Sequence, residues 1–175
     1  MPSVTSPRSG SGAEMRLLMV CLGNICRSPL AEGAFRAHLD RRGLDWIEVD
    51  SAGTGGWHAG EPPDRRAIAC ARGHGVDIAG LRARQLRARD FEDFHWLLCA
   101  DADNLRDVRA LAPPGARERT ALLLDWAGTV PHGEVPDPYY GDGSHFEGVW
   151  QLVDTAARAV VDRLSARPAS GIIRP

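Results

Sequence analysis

Hydrophobic residues along this chain fall into four short runs, separated by longer segments in which apolar positions are spaced out. The runs cover residues 17–20, 46–49, 96–99 and 121–124. Apolar runs of this length, bounded by polar residues, are typical of buried β-strands. The hydrophobic pattern therefore predicts four strands.

The segments between and after these runs have helical character. Residues 30–42, 64–73 and 103–111 have the composition of helices, and apolar residues recur at steps of three and four from Phe146 to Leu164. Parallel strands need crossover connections, and crossover helices cover both faces of a sheet. The alternation of strands and helices therefore predicts a three-layer α/β/α domain, in which helices flank a parallel sheet.

The length of 175 residues fits a single domain, which we expect to span residues 15–167. Residues 1–14 are rich in Ser, Pro and Gly and are predicted to form a disordered leader, and residues 168–175 a frayed tail. Two stretches, 53–63 and 128–143, are dense in Gly and Pro, and irregular segments of this length are usually functional or disordered.

Composition and charge narrow the classes of function. The net charge of -2 offers no basic field for nucleic acid, and no apolar run approaches the roughly 20 residues that a membrane-spanning helix needs. The chain has four cysteines and no export signal, which makes a disulfide framework a weak interpretation. We therefore expect a cytoplasmic protein with reduced thiols and with neither nucleic-acid nor membrane partners.

The segment CLGNICRSP, residues 21–29, carries the clearest chemical signal. Cys21 ends the first predicted strand, a loop follows, and Ser28 and Pro29 suit the cap and first turn of a helix. Loop amides and a helix N-terminus favour a bound anion, and the planar guanidinium of Arg27 can hold two oxygens of a phosphate. Ligands of parallel sheets bind beyond the carboxyl ends of the strands, where this loop lies. The segment therefore predicts a phosphate-binding loop.

Cys21 stands where a nucleophile would act. A positive environment favours the thiolate form of a cysteine, and a thiolate can attack a bound phosphate ester to give a phosphocysteine. Arg27 and the loop amides would hold the phosphoryl oxygens in the transition state. A cysteine six positions before an arginine is a weak motif by itself, whereas the surrounding string is specific. The alternative interpretation is an inert core cysteine at the end of a strand.

The string VCLGNICRSP closely resembles the phosphate-binding loop of the low-molecular-weight protein tyrosine phosphatases. Blocks with the same likeness follow in order at 50–67, 83–108 and 135–142, so the resemblance covers the chain from Arg16 to about Leu164. It implies a small parallel sheet of four strands flanked by helices, with the phosphate-binding loop after the first strand. It also implies hydrolysis of phosphotyrosine and aryl phosphates without a metal or organic cofactor.

Carried over residue by residue, the resemblance assigns Cys21 as the nucleophile, Arg27 as the phosphate clamp and Asp137 as the general acid and base. The chemistry also requires such a carboxyl group, because the leaving oxygen needs a proton and the phosphocysteine needs a base that activates water. Without the cysteine, Asp137 would be interpreted as a turn residue before Pro138.

The remaining predicted site residues bind substrate or shape the loop. Asn24 and Ser28 match family positions that assist the thiolate through hydrogen bonds, although turn and cap duty would also explain them. Trp57, Tyr139 and Tyr140 match the aromatic walls of the family's cleft, and in an unrelated protein would be packing residues. The full predicted substrate-binding set is Leu22, Gly23, Asn24, Ile25, Cys26, Ser28, Trp57, Tyr139 and Tyr140.

The other cysteines lead to separate expectations. Cys26 lies beside the nucleophile, as in family members whose two loop cysteines form a disulfide on oxidation, so we hypothesise reversible protection of Cys21. Cys70 lies in a segment with the composition of a helix and Cys99 lies in a predicted strand, and both are expected to be small core residues.

One position departs from the family pattern. Leu81 stands where many family members carry a histidine that bonds into the polar network of the loop. His74, upstream of it, is a candidate contributor, although a lone histidine near a helix end is more often a capping residue. His74 is therefore not included in the catalytic set.

Three other functions are compatible with parts of the sequence. A metal enzyme is disfavoured because the six histidines show no paired ligand spacing, and Cys21 and Cys26 do not form a CxxC motif. A thiol-dependent arsenate reductase of the same fold would use two further cysteines in a mobile segment, whereas Cys70 and Cys99 are far apart. A non-catalytic phosphotyrosine-binding module would need neither a nucleophile nor an acid.

The resemblance also bears on partners. It implies a phosphotyrosine-containing protein as the substrate. For a chain of bacterial character, it points to a tyrosine kinase that controls exopolysaccharide export.

Overall fold

The computed structural model describes residues 12–166. Its strands are β1 Met15–Cys21, β2 Ile47–Gly53, β3 Trp96–Cys99 and β4 Thr120–Leu122. All pair in parallel in one sheet of order β2-β1-β3-β4. The predicted leader and tail, residues 1–14 and 168–175, lie outside the described residues except for residues 12–14.

Helices connect the strands and follow the last one. They are α1 Arg27–Arg41, α2 Arg65–Gly73, α3 Asp90–Asp93, α4 Ala102–Leu111, α5 Leu123–Trp126 and α6 Gly143–Ser165, with a 3-10 turn at Arg117–Arg119. The predicted helices are present as α1, α2, α4 and α6, with ends shifted by a few residues. The shorter elements span too few residues to produce a periodic pattern. None of the helices in the described part of the chain is long and apolar enough to cross a membrane.

β1 supplies side chains to both faces of the sheet. Leu17, Met19 and Cys21 belong to one hydrophobic core, whereas Leu18 and Val20 belong to another, because successive strand residues face opposite sides. The first core contains residues from α1, α2, α5 and α6, and the second contains residues from α3 and α4. The three-layer α/β/α fold predicted from the sequence is therefore confirmed.

The fourth apolar run differs from its prediction. β4 ends at Leu122, and the buried residues Leu123 and Leu124 belong to α5. A short apolar run is compatible with a buried strand and with a buried helix, because every side chain can be buried in either element. The strand prediction is therefore wrong for the last two residues of 121–124.

α1 begins at Arg27, directly after the loop that follows β1. The sequence predicts Ser28 as the helix cap, but the N-cap residue is Cys26, which makes no side-chain capping hydrogen bond. Ser28 instead lies inside the first turn and is buried. Its hydroxyl therefore does not cap the helix and instead contacts Cys21 and Asn24 in the site described below.

Candidate active site

A cleft opens at the carboxyl edge of the sheet, beside the loop between β1 and α1. Its volume is about 270 Å³, close to the lower end of the range for ligand-binding clefts. The lining residues are Cys21, Leu22, Gly23, Ile25, Cys26, Arg27, Trp57, His58, Asp137, Tyr139 and Tyr140. The structure thus brings together all the predicted site residues around one cleft except Asn24 and Ser28, which are buried next to Cys21.

Cys21 is the last residue of β1 and is almost fully buried. Its Sγ lies 2.9 Å from the Ser28 hydroxyl oxygen and accepts a hydrogen bond from the Asn24 backbone N–H at 3.3 Å. A hydroxyl and an amide are the kinds of donor that stabilise a sulfur anion. Cys21 therefore has two neighbours suited to a thiolate.

The loop after Cys21 has many unpaired backbone donors. Among residues 12–166, no acceptor is found for the backbone N–H groups of Leu22, Gly23, Ile25, Cys26 and Arg27. Backbone donors in native structures are nearly always paired with protein, water or ligand. A cluster of free amides at a helix N-terminus is suited to the oxygens of an anion.

The end of β2 supports this loop through backbone contacts. The Thr54 N–H donates to the Cys21 carbonyl and the Gly55 N–H to the Leu22 carbonyl, both at 2.9 Å. A Cβ added to Gly53 would lie only 2.6 Å from the Leu22 carbonyl oxygen. The loop and the end of β2 therefore pack backbone against backbone, which glycine alone permits at this position.

Asn24 holds the loop through its side chain. Its φ of 58° lies in the left-handed region, which asparagine tolerates better than most residues. Its Nδ2 donates to the hydroxyls of Ser28 at 2.8 Å and Ser51 at 3.0 Å, and its Oδ1 accepts from the Arg84 N–H at 3.0 Å. The Ser51 hydroxyl in turn donates to Glu32 at 2.7 Å. A polar network thus continues from the neighbours of the thiol to a buried carboxyl group.

The polar network is complete even though position 81 carries a leucine and not a histidine. Its side chain is buried and apolar, and the Asn24 amide oxygen is satisfied by the backbone of Arg84. His74 lies outside this network, because its Nε2 pairs with Glu147 and its ring stacks on Trp150. The network therefore depends on Ser51 and the Arg84 amide, and the structure does not place His74 in it.

Arg27 is buried and anchored by the protein. Its NH1 donates to Asp101 Oδ2 at 2.5 Å and to the Val135 carbonyl at 3.1 Å. Asp101 is itself held, because it caps α4 by accepting from the Asn104 N–H at 2.8 Å. The other terminal nitrogen, NH2, lies 3.8 Å from Asp137 Oδ2. One side of the guanidinium is thus fixed, and the other lies near the predicted acid.

Asp137 lies in the loop before α6, with 46% of its side chain exposed. Its Oδ1 accepts from the Tyr139 N–H at 3.1 Å. Arg66 holds the loop from α2, since its guanidinium donates to the carbonyls of Tyr139 at 2.9 Å and Gly141 at 3.0 Å. Asp64, the N-cap of α2, in turn pairs with Arg66 at 3.0 Å. The loop that carries the carboxyl group is therefore attached to α2.

Aromatic side chains surround the mouth of the cleft. Trp57 is 72% exposed and Tyr140 is 96% exposed, and Tyr139 meets Tyr140 edge to face at 5.0 Å between ring centroids. Large aromatic residues so exposed beside a cleft are suited to contact a flat ligand. The positions of the three predicted wall residues agree with that use.

Cys26 lines the same cleft but differs chemically from Cys21. Burial raises the pKa of Cys26 to about 12, and the negative charges of Asp64, Cys21 and Asp137 add to the effect. Cys26 is therefore a protonated thiol at neutral pH and is unsuited to act as the nucleophile. The proposed disulfide between the two loop cysteines stays a prediction.

The remaining cysteines lie away from the cleft. Cys99 on β3 is fully buried, as expected of a core residue. Cys70 on α2 is only partly buried, and its Sγ lies 3.6 Å from Glu147 Oε2. Cys70 packs against the first core at its edge, so the core prediction holds for it only in part, because the helix face that carries it also meets a carboxylate from α6.

Sequence reasoning missed several residues of the site. Asp101 follows β3 at the same edge of the sheet as the predicted loop, and that position is a signal that could have identified it. His58 lines the cleft beside Trp57 without a distinctive motif. Ser51 and Glu32 come from β2 and α1, and only tertiary packing joins them to the loop.

The fold and the cleft define an α/β protein suited to hold an anion, with a thiol beside it, at the carboxyl edge of its sheet. The family model described as low molecular weight phosphotyrosine protein phosphatase matches residues 16–169. The chain belongs to this family and is a phosphoric monoester hydrolase of the protein-tyrosine-phosphatase class. The family predicted from the sequence is therefore confirmed.

Individual relatives cover most of the chain. Low molecular weight protein-tyrosine-phosphatase YfkJ of Bacillus subtilis is 40% identical over 146 residues, which are 83% of this chain and 92% of the relative. The low molecular weight protein-tyrosine-phosphatase of Streptomyces coelicolor is 43% identical over 155 residues, 83% of this chain and 91% of the relative.

Solved structures agree with these relatives. The crystal structure of YfkJ superposes with a TM-score of 0.80 at 38% identity, covering 89% of this chain and 97% of that one. Vibrio vulnificus Wzb in complex with benzylphosphonate superposes with a TM-score of 0.76 at 30% identity, covering 85% of this chain and 98% of that one.

Proposed function

We propose that this protein hydrolyses phosphotyrosine through a phosphocysteine formed on Cys21. The observation that carries the proposal is one cleft lined by the Cys21 thiol, the Arg27 guanidinium and the Asp137 carboxyl group. The unpaired loop amides beside the thiol supply the site for the phosphoryl oxygens.

In the first half-reaction, Cys21 Sγ attacks phosphorus and the bond to the phenolic oxygen breaks. Asp137 donates a proton to that oxygen as it leaves. Ser28 and the Asn24 N–H, which lie next to Sγ, stabilise the sulfur as an anion before attack and when it leaves again.

In the second half-reaction, Asp137 is ionised and takes a proton from a water molecule. The activated water attacks the phosphocysteine, the S–P bond breaks, and inorganic phosphate and the thiolate are released. One carboxyl group thus acts as acid and then as base.

Arg27 and the loop amides stabilise the charge that spreads over the equatorial oxygens in both transition states. Asp101 and the Val135 carbonyl anchor the guanidinium. Because the arginine is already positioned, little reorganisation is needed when phosphate binds.

The substrate class follows from the walls of the cleft. Trp57, Tyr139 and Tyr140 offer exposed rings against which a phenyl group can pack. Wzb, whose structure resembles this one, was crystallised with benzylphosphonate, which joins a ring to a phosphonate. Both observations support an aryl phosphate, and therefore phosphotyrosine.

The arsenate reductase and the non-catalytic binding module receive less support than hydrolysis. An arsenate reductase of this fold needs two further cysteines, but apart from Cys26 inside the loop none of the remaining cysteines lines the cleft. A non-catalytic binding module would have no use for an acid placed beside the arginine. Hydrolysis accounts for both features.

We also propose a cytoplasmic location and a bacterial tyrosine kinase as the phosphorylated partner. A thiolate nucleophile needs a reducing compartment to stay active, and the relatives above include bacterial proteins. Dephosphorylation of such a kinase by the purified protein, measured with a phosphotyrosine antibody, would test the partner. An unchanged kinase alongside rapid turnover of phosphotyrosine peptides would contradict that partner and leave the chemistry intact.

The mechanism is tested by comparing wild type with Cys21→Ser on p-nitrophenyl phosphate in the presence of EDTA. We expect Cys21→Ser to lose at least about 1,000-fold in kcat, because a serine hydroxyl is far less ionised at neutral pH than a thiol and is a much weaker nucleophile than a thiolate. Cys99→Ala, which removes a buried thiol outside the cleft, should keep its activity. Equal turnover by Cys21→Ser and wild type would end the proposal.

The variant Asp137→Asn tests the role of the acid separately from the role of the nucleophile. We expect a loss of about 100-fold or more on a phosphotyrosine peptide and a smaller loss on p-nitrophenyl phosphate, whose leaving group needs a proton less. Equal losses on both substrates would show that Asp137 does not protonate the leaving oxygen.

A further inference from the structure

A cluster of three potential metal ligands lies outside the cleft, where α2 meets α6. Cys70 belongs to α2, His74 is its C-cap residue, and Glu147 lies near the start of α6. Their ligand atoms, one thiol sulfur, one ring nitrogen and one carboxylate oxygen, all lie within 4.8 Å of one another. None of the three lines the cleft, and the phosphatase chemistry makes no use of them.

The two helices present these atoms for simple geometric reasons. Cys70 and His74 are four positions apart, so at the end of a helix they lie on the same face. His74 Nε2 lies 2.7 Å from Glu147 Oε1, and Cys70 Sγ lies 3.6 Å from Oε2. Around a tetrahedral zinc, bonds of about 2.0 Å to nitrogen and oxygen and about 2.3 Å to sulfur place sulfur about 3.5 Å from oxygen and nitrogen about 3.3 Å from oxygen. The Cys70–Glu147 separation matches this geometry, and the His74–Glu147 hydrogen bond needs to open by about 0.6 Å to admit the ion.

Neighbouring side chains orient the ligands. The His74 ring stacks on Trp150 with 5.0 Å between centroids and an angle of 11° between planes. Gln151 Nε2 donates to Glu147 Oε1 at 2.9 Å. Supporting contacts of this kind hold metal ligands in place and contribute to affinity.

We propose that Cys70, His74 and Glu147 form a zinc site that joins α2 to α6. Thiolate, imidazole and carboxylate together form a donor set that favours Zn²⁺ over Mg²⁺ or Ca²⁺. Three protein ligands leave the fourth position of the tetrahedron to water. The side chains of His74 and Glu147 are 32% and 46% exposed, which gives the ion a route from solvent.

Binding exchanges protons for the metal. The Cys70 thiol loses its proton to solvent, His74 coordinates through Nε2, and Glu147 binds as a carboxylate. Burial raises the pKa of Cys70 to about 11, and the charge of Glu147 adds to the effect, so the thiol is protonated at neutral pH before the ion arrives. Zn²⁺ must therefore displace a thiol proton.

The location gives the site a structural role. The other end of α2 contacts the phosphate-binding loop, where the Asp64 N–H donates to the Ile25 carbonyl at 2.8 Å. The same end carries Arg66, which holds the loop that contains Asp137. α6 begins directly after that loop. A metal that links the two helices would therefore stabilise the elements on which the cleft is built.

The test is a metal titration of the full-length reduced protein, first with Co²⁺ and then with Zn²⁺ as competitor. We expect one equivalent to bind, with a thiolate-to-cobalt charge-transfer band that Zn²⁺ removes. The band should be absent in Cys70→Ser and present in Cys21→Ser. A band that disappears in Cys21→Ser and persists in Cys70→Ser would place the metal in the cleft and overturn the proposal.

The other two ligands are tested by affinity and stability. His74→Ala and Glu147→Gln should each weaken Zn²⁺ binding by at least about tenfold. His38→Asn is the matched control, because His38 forms a similar pair with Asp154 of α6 at 2.7 Å but has no cysteine beside it. Zn²⁺ should raise the Tm of wild type and of the control, and not that of Cys70→Ser. Absence of stoichiometric binding, or equal affinity in all these variants, would refute the site.

Discussion

The guanidinium of Arg27 is held by a residue 74 positions away along the chain. Asp101 accepts its hydrogen bond at 2.5 Å and also caps α4, so a single carboxylate fixes both the arginine and the start of a helix. A buried arginine needs such a partner, because an unpaired charge is costly away from water. At the scale of the residue, the orientation of the Arg27 guanidinium therefore depends on β3 being adjacent to β1.

Asp101→Asn tests this dependence. Asparagine still caps α4 but lacks the negative charge that holds Arg27, so we expect kcat/KM to fall by about 10- to 100-fold and the free energy of unfolding to fall as well. Inhibition by inorganic phosphate should weaken in parallel. Asp103→Asn, on the same helix with an exposed side chain, is the control and should behave as wild type. Unaltered kinetics and phosphate affinity in Asp101→Asn would contradict an anchoring role.

At the scale of the element, the phosphate-binding loop and the end of β2 form one unit. The Thr54 and Gly55 amides bond to the carbonyls of Cys21 and Leu22, and Gly53 allows their close approach. The loop keeps its own carbonyls occupied in this way, while most of its amides remain available to the anion. The shape of the binding loop therefore depends on a neighbouring strand as much as on its own residues.

Gly53→Ala should disturb this unit. The new Cβ would meet the Leu22 carbonyl oxygen at 2.6 Å and the Gly55 carbonyl oxygen at 3.0 Å, and neither backbone group can rotate away. We expect about a 100-fold loss of kcat/KM from the displaced loop, with a stability loss of about 1–3 kcal/mol in denaturant titrations.

The control for this prediction is Gly148→Ala in α6. An added Cβ meets nothing within 4 Å there, and alanine favours a helix more than glycine does, so this variant should be active and as stable as wild type or more stable. If Gly53→Ala were as active as Gly148→Ala, the loop would not need the close approach.

At the scale of the whole molecule, the polar network behind the loop reaches a carboxyl group in the core. Glu32 on α1 is almost fully buried, accepts from Ser51 and pairs with Arg36 at 2.7 Å. Burial raises the pKa of Glu32 from 4.5 to about 7, against the opposing effect of Arg36. The core behind the phosphate-binding loop therefore contains a carboxyl group whose protonation changes the free energy of unfolding near neutral pH.

The sign of this effect is fixed by the direction of the pKa change. As the pH rises from 4.5 to about 7, the unfolded chain releases the Glu32 proton while the folded chain keeps it, so stability from this group is lost over that range. The loss amounts to about 3 kcal/mol at the upper end. Glu32→Gln should flatten this part of the curve when the free energy of unfolding is measured in urea at several pH values. A slope identical to that of wild type would contradict the prediction.

Much of the fold follows from local signals. The apolar runs marked the positions of four strands and the three- and four-residue spacing marked α6, because burial of a strand or helix face imposes those periods on neighbouring residues. The loop, with its cysteine, arginine and helix start, is contiguous in the chain and could be interpreted the same way. The boundary between β4 and α5 could not, since Leu123 and Leu124 are equally buried in either structure.

What the sequence by itself determined is therefore the order of strands and helices, the phosphate-binding loop and the family. Tertiary structure alone decided how the loop is supported, through pairs such as Arg27 with Asp101 and Asn24 with Arg84 that lie 74 and 60 positions apart. The physical reason is that periodicity and helix starts depend on residues within a few positions. Hydrogen bonds across the carboxyl edge depend on which strands become neighbours when the sheet assembles.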